Sequence, residues 1–255
     1  MTYLHFHLVF IAGPTLLLCG WVLRRREHLG GRTIVALFAV SPLALLYTAR
    51  WDQYLIANRV WWYGEDRVTG AWLGVPYEEY AFMVLQPVLT GALLLTLLSR
   101  RSRLRRPEWT GPTIQGALVI GGGLIGVGLA GGITALRAGP EWTYFGLILI
   151  WAFPALGALT AGAWSGLHAF GRESTLAWTI ATLYLAIADR IAIGAGVWTI
   201  SPEQSTGWLI GGLPVEEALF FAVTNALVVA GAMLFFTPGL PSTQPRPGAD
   251  DPIEA

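Results

Sequence analysis

A helix that crosses a bilayer needs about 20 mainly apolar residues. This chain offers seven such stretches, at 3–23, 33–51, 76–98, 112–135, 142–164, 174–194 and 214–236. Backbone amides in lipid must bond within their own segment, so apolar runs of this length fold as spanning helices. The expected fold is therefore an all-α polytopic membrane protein with seven transmembrane helices. Composition agrees, because 13% of residues are charged where soluble domains carry about 25%. The first stretch has no basic leader and no small-residue cleavage site, so a retained anchor is expected. The tail after Thr237, rich in Pro, Gly and Asp, reads as disordered.

The charges balance at 16 basic against 16 acidic, and every basic residue is arginine. Zero net charge gives no electrostatic footprint for nucleic acid. One cysteine, Cys19, excludes an intramolecular disulfide and a cysteine-based metal cluster. With no lysine, the Schiff base of a seven-helix retinal protein cannot form. Position orients the arginines. Arg24, Arg25, Arg26, Arg32, Arg100, Arg101, Arg103, Arg105, Arg106, Arg172 and Arg246 put 11 of the 16 on one face. The positive-inside rule makes that face cytoplasmic. The expectation is a multi-pass protein of the cell membrane, N-terminus outside and C-terminus cytoplasmic. Arg50, Arg59, Arg67, Arg137 and Arg190 fall on or near the other side.

The chain also repeats itself. Trp51–Gly91 and Ala188–Gly231 align with Asp52 against Asp189, Trp61 against Trp198, and Pro76, Glu78, Glu79 against Pro214, Glu216, Glu217. Pro14 falls against Pro154 and Tyr47 against Tyr184, at offsets of 137 to 140. Each half holds three spans, and the fourth span connects them. Four crossings return the second half to the starting side, so the repeats are parallel, related by an axis along the membrane normal. The expected domains are 1–111, a connector at 112–140, 141–237, and a tail at 238–255.

Both P-x-E-E motifs then enter the membrane from one face. A carboxylate at the bilayer centre costs roughly 2.5–3.5 kcal/mol, so such groups belong in a protein interior with partners. Proline suits a first helical turn, and the helix dipole favours the glutamates that follow it. A capped helix entrance explains one such motif. Recurrence beside a matched aspartate points to chemistry instead, with Glu78, Glu79, Glu216, Glu217, Asp52 and Asp189 converging between the halves. Crowded acids in a low-dielectric site cannot all ionise, so one keeps a proton to donate. The competing role is Mg²⁺ capture for a diphosphate; it favours aspartate clusters with several cations, and only Arg59, Arg67 and Arg190 lie nearby.

Aromatic residues surround the acids: Trp61, Trp62, Tyr63, Trp72, Tyr80 and Phe82 in one half, Trp198, Trp208, Phe220 and Phe221 in the other. Some belong to an interfacial belt. Others can stabilise a carbocation through their faces. Phe82 and Phe220 follow the glutamates by one turn, at a spacing that shares a helix face. Gly121–Gly126 matches a dinucleotide-binding pattern but lies inside an apolar run, and there Gly122/Gly126 and Gly128/Gly132 are read as close-packing positions. His5 and His7 are expected at the interface, and His28 and His168 in or beside cytoplasmic loops.

The segments DQYLIANRVWWY with GVPYEEYAFMVLQPVLTG, and DRIAIGAGVWTI with GGLPVEEALFFAVTNALVV, resemble the non-flavin lycopene cyclases, whose three-helix domain occurs paired or fused in tandem. The resemblance covers residues 3–98 and 142–236. It implies acid-catalysed, redox-neutral closure of the ψ ends of a linear carotenoid into β rings, as a lycopene β-cyclase of the intramolecular lyase or isomerase type. It puts the acidic motif on Glu78, Glu79, Glu216 and Glu217 and the family's aspartates on Asp52 and Asp189. The halves depart at Gln53 against Arg190 and Pro87 against Asn225.

A protonated Glu78 or Glu216 is the anticipated acid, with its pair or an Asp as the base. Trp61, Trp62, Tyr80, Phe82, Trp198, Phe220 and Phe221 would guide the cation, with Arg59, Arg190 and Asn225 in support. No cofactor or metal is called for. The partners are a lipophilic linear carotenoid and membrane lipid, with room for other carotenoid enzymes or self-association. Rival readings are cyclisation of an elongated fifty-carbon carotenoid and a seven-span transporter with an acidic midplane site.

Overall fold

The computed structural model describes residues 1–25, 29, 31–101 and 108–235, without the side chains of 31–34 and 36. Arg26, Arg103, Arg105, Arg106, Arg246, the side chain of Arg32, His28 and the tail at 238–255 lie outside the described residues. Seven long helices form among the described residues. They are α1 (Tyr3–Arg24), α2 (Gly31–Ala57), α3 (Tyr77–Leu98), α4 (Gly111–Ala138), α5 (Thr143–Ala169), α6 (Gly171–Gly194) and α7 (Val215–Leu234). Six of them are long and apolar enough to cross a membrane, all except α2, whose first side chains are not among those described. Wider turns interrupt α1 at His7–Ala12 and α4 at Val127–Gly131. Pro42, Pro87 and Pro154 sit inside α2, α3 and α5; neighbouring helices and local backbone adjustment let membrane helices keep such residues.

Burial ranks the helices. In α3, 72% of the most apolar window is buried, and in α7 56%, against 22% in α4. The two helices that begin at the P-x-E-E motifs are thus the central pair. Outward faces such as Leu16, Leu17, Leu46, Leu118, Val119, Leu183 and Ile187 remain exposed, as lipid contact requires.

The prolines depart from their expected place. Pro76 and Pro214 stand one residue before the helix, with ψ of 149 and 139, closing short strands instead of the first helical turn. Each belongs to a hairpin, β2 (Ala71–Trp72) with β3 (Val75–Pro76) and β5 (Leu209–Ile210) with β6 (Leu213–Pro214). The extended backbone needed for pairing wins over helical φ/ψ at that residue. The turns Leu73-Gly74 and Gly211-Gly212 have φ of 52 and 81, and of 59 and 84, the left-handed pair that a two-residue hairpin turn demands. Gln53 Nε2 donates to the Leu73 carbonyl at 3.0 Å, and Arg190 Nε to the Gly211 carbonyl at 2.6 Å. Two residues that differ between the halves therefore do the same work, steadying a hairpin turn from a helix end.

Strands β1 (Trp61–Tyr63) and β4 (Trp198–Ile200) pair antiparallel, with Trp61 opposite Ile200, Trp62 opposite Thr199 and Tyr63 opposite Trp198. Loops 52–75 and 195–213 thereby meet at one end of the bundle. At the other end Arg101 grips Glu173 by two bonds of 2.9 Å.

The connector packs through glycine, though not through all four expected positions. Nothing lies within 4 Å of a Cβ built on Gly122 or Gly126. One on Gly121 meets the Gly157 carbonyl at 2.7 Å, and Gly128 and Gly132 are similarly closed by α5. The contact face is Gly121, Gly128 and Gly132, and Gly122 and Gly126 turn away from it.

Candidate active site

Successive residues on a helix point about 100° apart, and this separates the glutamates within each pair. Glu78 Oε1 accepts from the Thr69 amide at 2.8 Å. Glu216 Oε1 accepts from the Thr206 amide and hydroxyl at 2.7 and 2.8 Å. These two glutamates fasten the hairpin loops to the first turns of α3 and α7. Their other oxygens, Glu78 Oε2 and Glu216 Oε2, are buried without a hydrogen-bond partner.

Glu79 and Glu217 turn the other way, towards each other and towards Asp52 and Asp189. The phenols of Tyr3 and Tyr63 both donate to Glu79 Oε2, at 2.9 and 2.6 Å. Asp52 and Glu79 stand together at the head of the larger cavity, and two neighbouring carboxyl groups can bond each other only if one carries a proton. Trp198 Nε1 donates to Asp189 Oδ1 at 2.9 Å. Tyr144 lies against Glu217, whose Oε1 is buried and unpartnered, as are Asp52 Oδ1 and Asp189 Oδ2. No arginine offsets this cluster: the one ion pair among the described residues is Arg101–Glu173. Burial, and then the nearby Glu79 carboxylate, push the Tyr63 phenol well above its ordinary value. It stays a neutral donor.

Two cavities meet here. A small chamber of about 50 Å³ holds Glu79, Glu217 and Asp189 under Tyr3, Tyr63 and Tyr144, with room for a few waters. A larger cavity of about 500 Å³ starts at Asp52 and Glu79 and runs between α2, α3, α5 and α7 to Leu234 and Phe235. Its walls are almost wholly apolar: Val40, Leu43, Met83, Leu159, Leu227 and Val228 among others. From Phe220 to Leu234 along α7 it extends roughly 20 Å at 1.5 Å per residue. Glu79, Phe82 and Phe220 line both cavities. Trp51 stacks on Trp151 at 4.1 Å and on Phe220 at 6.0 Å, forming a flat aromatic wall beside the acids.

Of the expected aromatics, Trp61, Phe82, Trp198, Phe220 and Phe221 line a cavity. Trp62 and Tyr80 do not: Arg59 sits over the Trp62 ring at 6.0 Å, and Tyr80 donates to the Trp72 carbonyl at 3.0 Å. Arg59 and Arg190 are occupied with that ring and with the Gly211 carbonyl. Asn225 Oδ1 accepts from Gln86 Nε2 at 2.7 Å and Thr90 Oγ1 at 2.6 Å, tying α3 to α7 in mid-bundle. His5 is exposed and caps α1 through Thr2. His7 is not at an interface: it is buried against Tyr3 and Phe82.

Reading the sequence missed Tyr3 and Tyr144. They match at an offset of 141, just beyond the range in which the other pairs align. Each lies in the first turn of a helix, and each anchors by its amide to the loop of its own half, Tyr3 to the Arg67 carbonyl at 2.8 Å and Tyr144 to the Gln204 carbonyl at 2.9 Å.

A bundle of membrane-length helices with an acid cluster at the head of a long apolar cavity defines a membrane protein with room for a lipid-soluble molecule. Comparison with known proteins agrees. The lycopene cyclase family matches residues 1–107 and 141–236. The lycopene beta-cyclase of Halobacterium salinarum is 38% identical over 233 residues, spanning 90% of this chain and 95% of that protein. The bifunctional lycopene cyclase/phytoene synthase of Podospora anserina is 38% identical over 212 residues, 79% of this chain and 35% of that longer protein. No solved structure matches. The chain belongs to the lycopene cyclase family, and the expected enzyme class, an intramolecular lyase or isomerase of carotenoid biosynthesis, is that of the family.

Proposed function

We propose that this chain is an integral-membrane lycopene β-cyclase, closing the ψ ends of lycopene into β rings by acid catalysis with no net redox change. The observation that carries it is the juxtaposition of Asp52 and Glu79 with the head of the apolar cavity. A linear polyene lying along α7 brings its end group to those two carboxyls. Asp52, sharing a proton with Glu79, protonates the terminal double bond and leaves a tertiary cation. The neighbouring double bond attacks it, forming the ring, while Phe82, Phe220 and Trp151 offer aromatic faces to the charge. Glu79 removes a ring proton and sets the final double bond. Contact between Glu79 and Asp52 then returns that proton to its starting place, so proton and electron counts close. The acid role anticipated for Glu78 or Glu216 passes to Asp52 here, because both of those glutamates are engaged by loop amides.

Around this site we read two parallel three-helix repeats joined by α4, in the cell membrane, with the hairpin loops outside and the C-terminus cytoplasmic. The matched Glu78–Thr69 and Glu216–Thr206 bonds and the self-matching β1–β4 ladder support the repeat. Expression in a lycopene-accumulating host tests the function. The wild-type chain turns red cells orange and yields β-ringed products. Asp52→Asn and Glu79→Gln each lower turnover by about 100-fold or more, the usual weight of a general acid or base. Undiminished cyclisation by both variants would sink the mechanism.

A further inference from the structure

The two glutamates that face the inner chamber are not equivalently held. Glu79 Oε2 receives two phenols, Tyr3 from the start of α1 at 2.9 Å and Tyr63 from β1 at 2.6 Å. At the corresponding place in the second half the sequence has Tyr144 for Tyr3, but Ile200 for Tyr63, and Glu217 keeps a buried oxygen without a partner. Hydrogen bonds to one carboxylate oxygen favour the anion. They also fix the carboxylate in space, because both donors are themselves pinned. Tyr3 is buried, tied by its amide to the Arg67 carbonyl at 2.8 Å, and packed edge-on against Trp198 at 4.9 Å. Tyr63 lies in the β1–β4 ladder and stacks on Tyr3 at 5.8 Å.

Such a clamp bears on which ring forms. The cyclic cation can lose a proton from the ring carbon that carries the polyene, from the adjacent ring methylene, or from the methyl group. These losses give the β ring, the ε ring and the exocyclic γ ring, respectively. All three hydrogens lie within a few bonds of one another, so only the placement of the base separates them.

We propose that Tyr3 and Tyr63 are positioning residues that set the regiochemistry of ring closure by holding Glu79 as a fixed anionic base. This rests on the cyclase function proposed above. The bond changes are balanced: one C–H bond breaks, its electron pair becomes the ring double bond, and the proton goes to Glu79.

The test is product analysis by chromatography and absorption spectra from a lycopene-accumulating host, with turnover measured on the protein in vesicles. Wild type gives one ring isomer. Tyr63→Phe and the Tyr3→Phe/Tyr63→Phe double variant give mixed ε, γ and β rings, with turnover about 10-fold lower for the double variant, a barrier change of about 1.4 kcal/mol. Glu79→Asp, which retracts the carboxylate and leaves both phenols, produces a similar mixture; it carries the test if neither phenylalanine variant accumulates. Loss of product with an unchanged isomer pattern is what a merely structural role predicts, and that result overturns the proposal. No cyclic product from the wild-type chain would instead overturn the cyclase reading, leaving the two failures distinct.

Discussion

Leu73 is the residue most at odds with its own backbone. It holds φ of 52 at the first position of the β2–β3 turn, where the matched turn has Gly211. For a residue with a γ-branched chain the left-handed region costs about 1–2 kcal/mol, and its exposed side chain recovers little by packing. Leu73→Asn is expected to raise stability by about 1 kcal/mol, read as thermal unfolding in detergent, since asparagine visits that region readily. The Gln53 bond goes to the backbone carbonyl and survives the change. Tyr63 gives a second prediction. Its neutral form is favoured by burial and by Glu79, so its contribution to stability is complete below the ordinary tyrosine value of about 10. It is lost only as pH climbs through the higher folded value. An absorbance titration near pH 10 to 11 should therefore show the same tyrosinate amplitude for wild type and Tyr63→Phe; a smaller amplitude in the variant would mean that Tyr63 ionises normally.

Among the elements, α3 and α7 show how a short motif divides its labour. Two adjacent glutamates in a first turn cannot face the same way, so one binds the loop and the other faces the chamber. The motif was legible in the sequence, but that division was not, because a one-residue difference in direction has meaning only once the neighbours are known. The α4–α5 contact makes the same point with glycines. A Cβ at Gly121 meets Ala161 Cβ at 2.8 Å as well as the Gly157 carbonyl. Gly121→Val is expected to cost about 1–3 kcal/mol through overpacking, whereas Gly122→Val, facing open space, changes stability little. Equal losses at the two positions, measured by thermal unfolding in detergent, would contradict the assigned face.

Across the whole molecule, the halves are joined at three levels. The β1–β4 ladder closes the hairpin end, the Gln86–Thr90–Asn225 knot ties the middle, and Arg101–Glu173 spans the far end. The ion pair is part-exposed and contributes at most about 1 kcal/mol. The knot is buried, and Asn225→Ala strands two donors, which costs about 1–3 kcal/mol in the same unfolding measurement. Reporter fusions at the two termini check the orientation: the outside-N, cytoplasmic-C arrangement requires them to report opposite compartments.

Seven apolar stretches, an arginine-marked face, and two acidic motifs at matched positions could be read without coordinates, because hydrophobic length, charge placement and self-similarity are properties of the chain's order. The tertiary structure decided which acids meet. Asp52 and Glu79 come together at the cavity head from different helices, while Tyr3 reaches Glu79 across 76 positions of sequence. Trp62, Tyr80, Arg59 and Arg190 went elsewhere, since nearness in sequence to an acid does not fix a side chain's direction. Hydrogen bonds and cavities depend on where separate elements converge, and the packing of helices and hairpins together sets that.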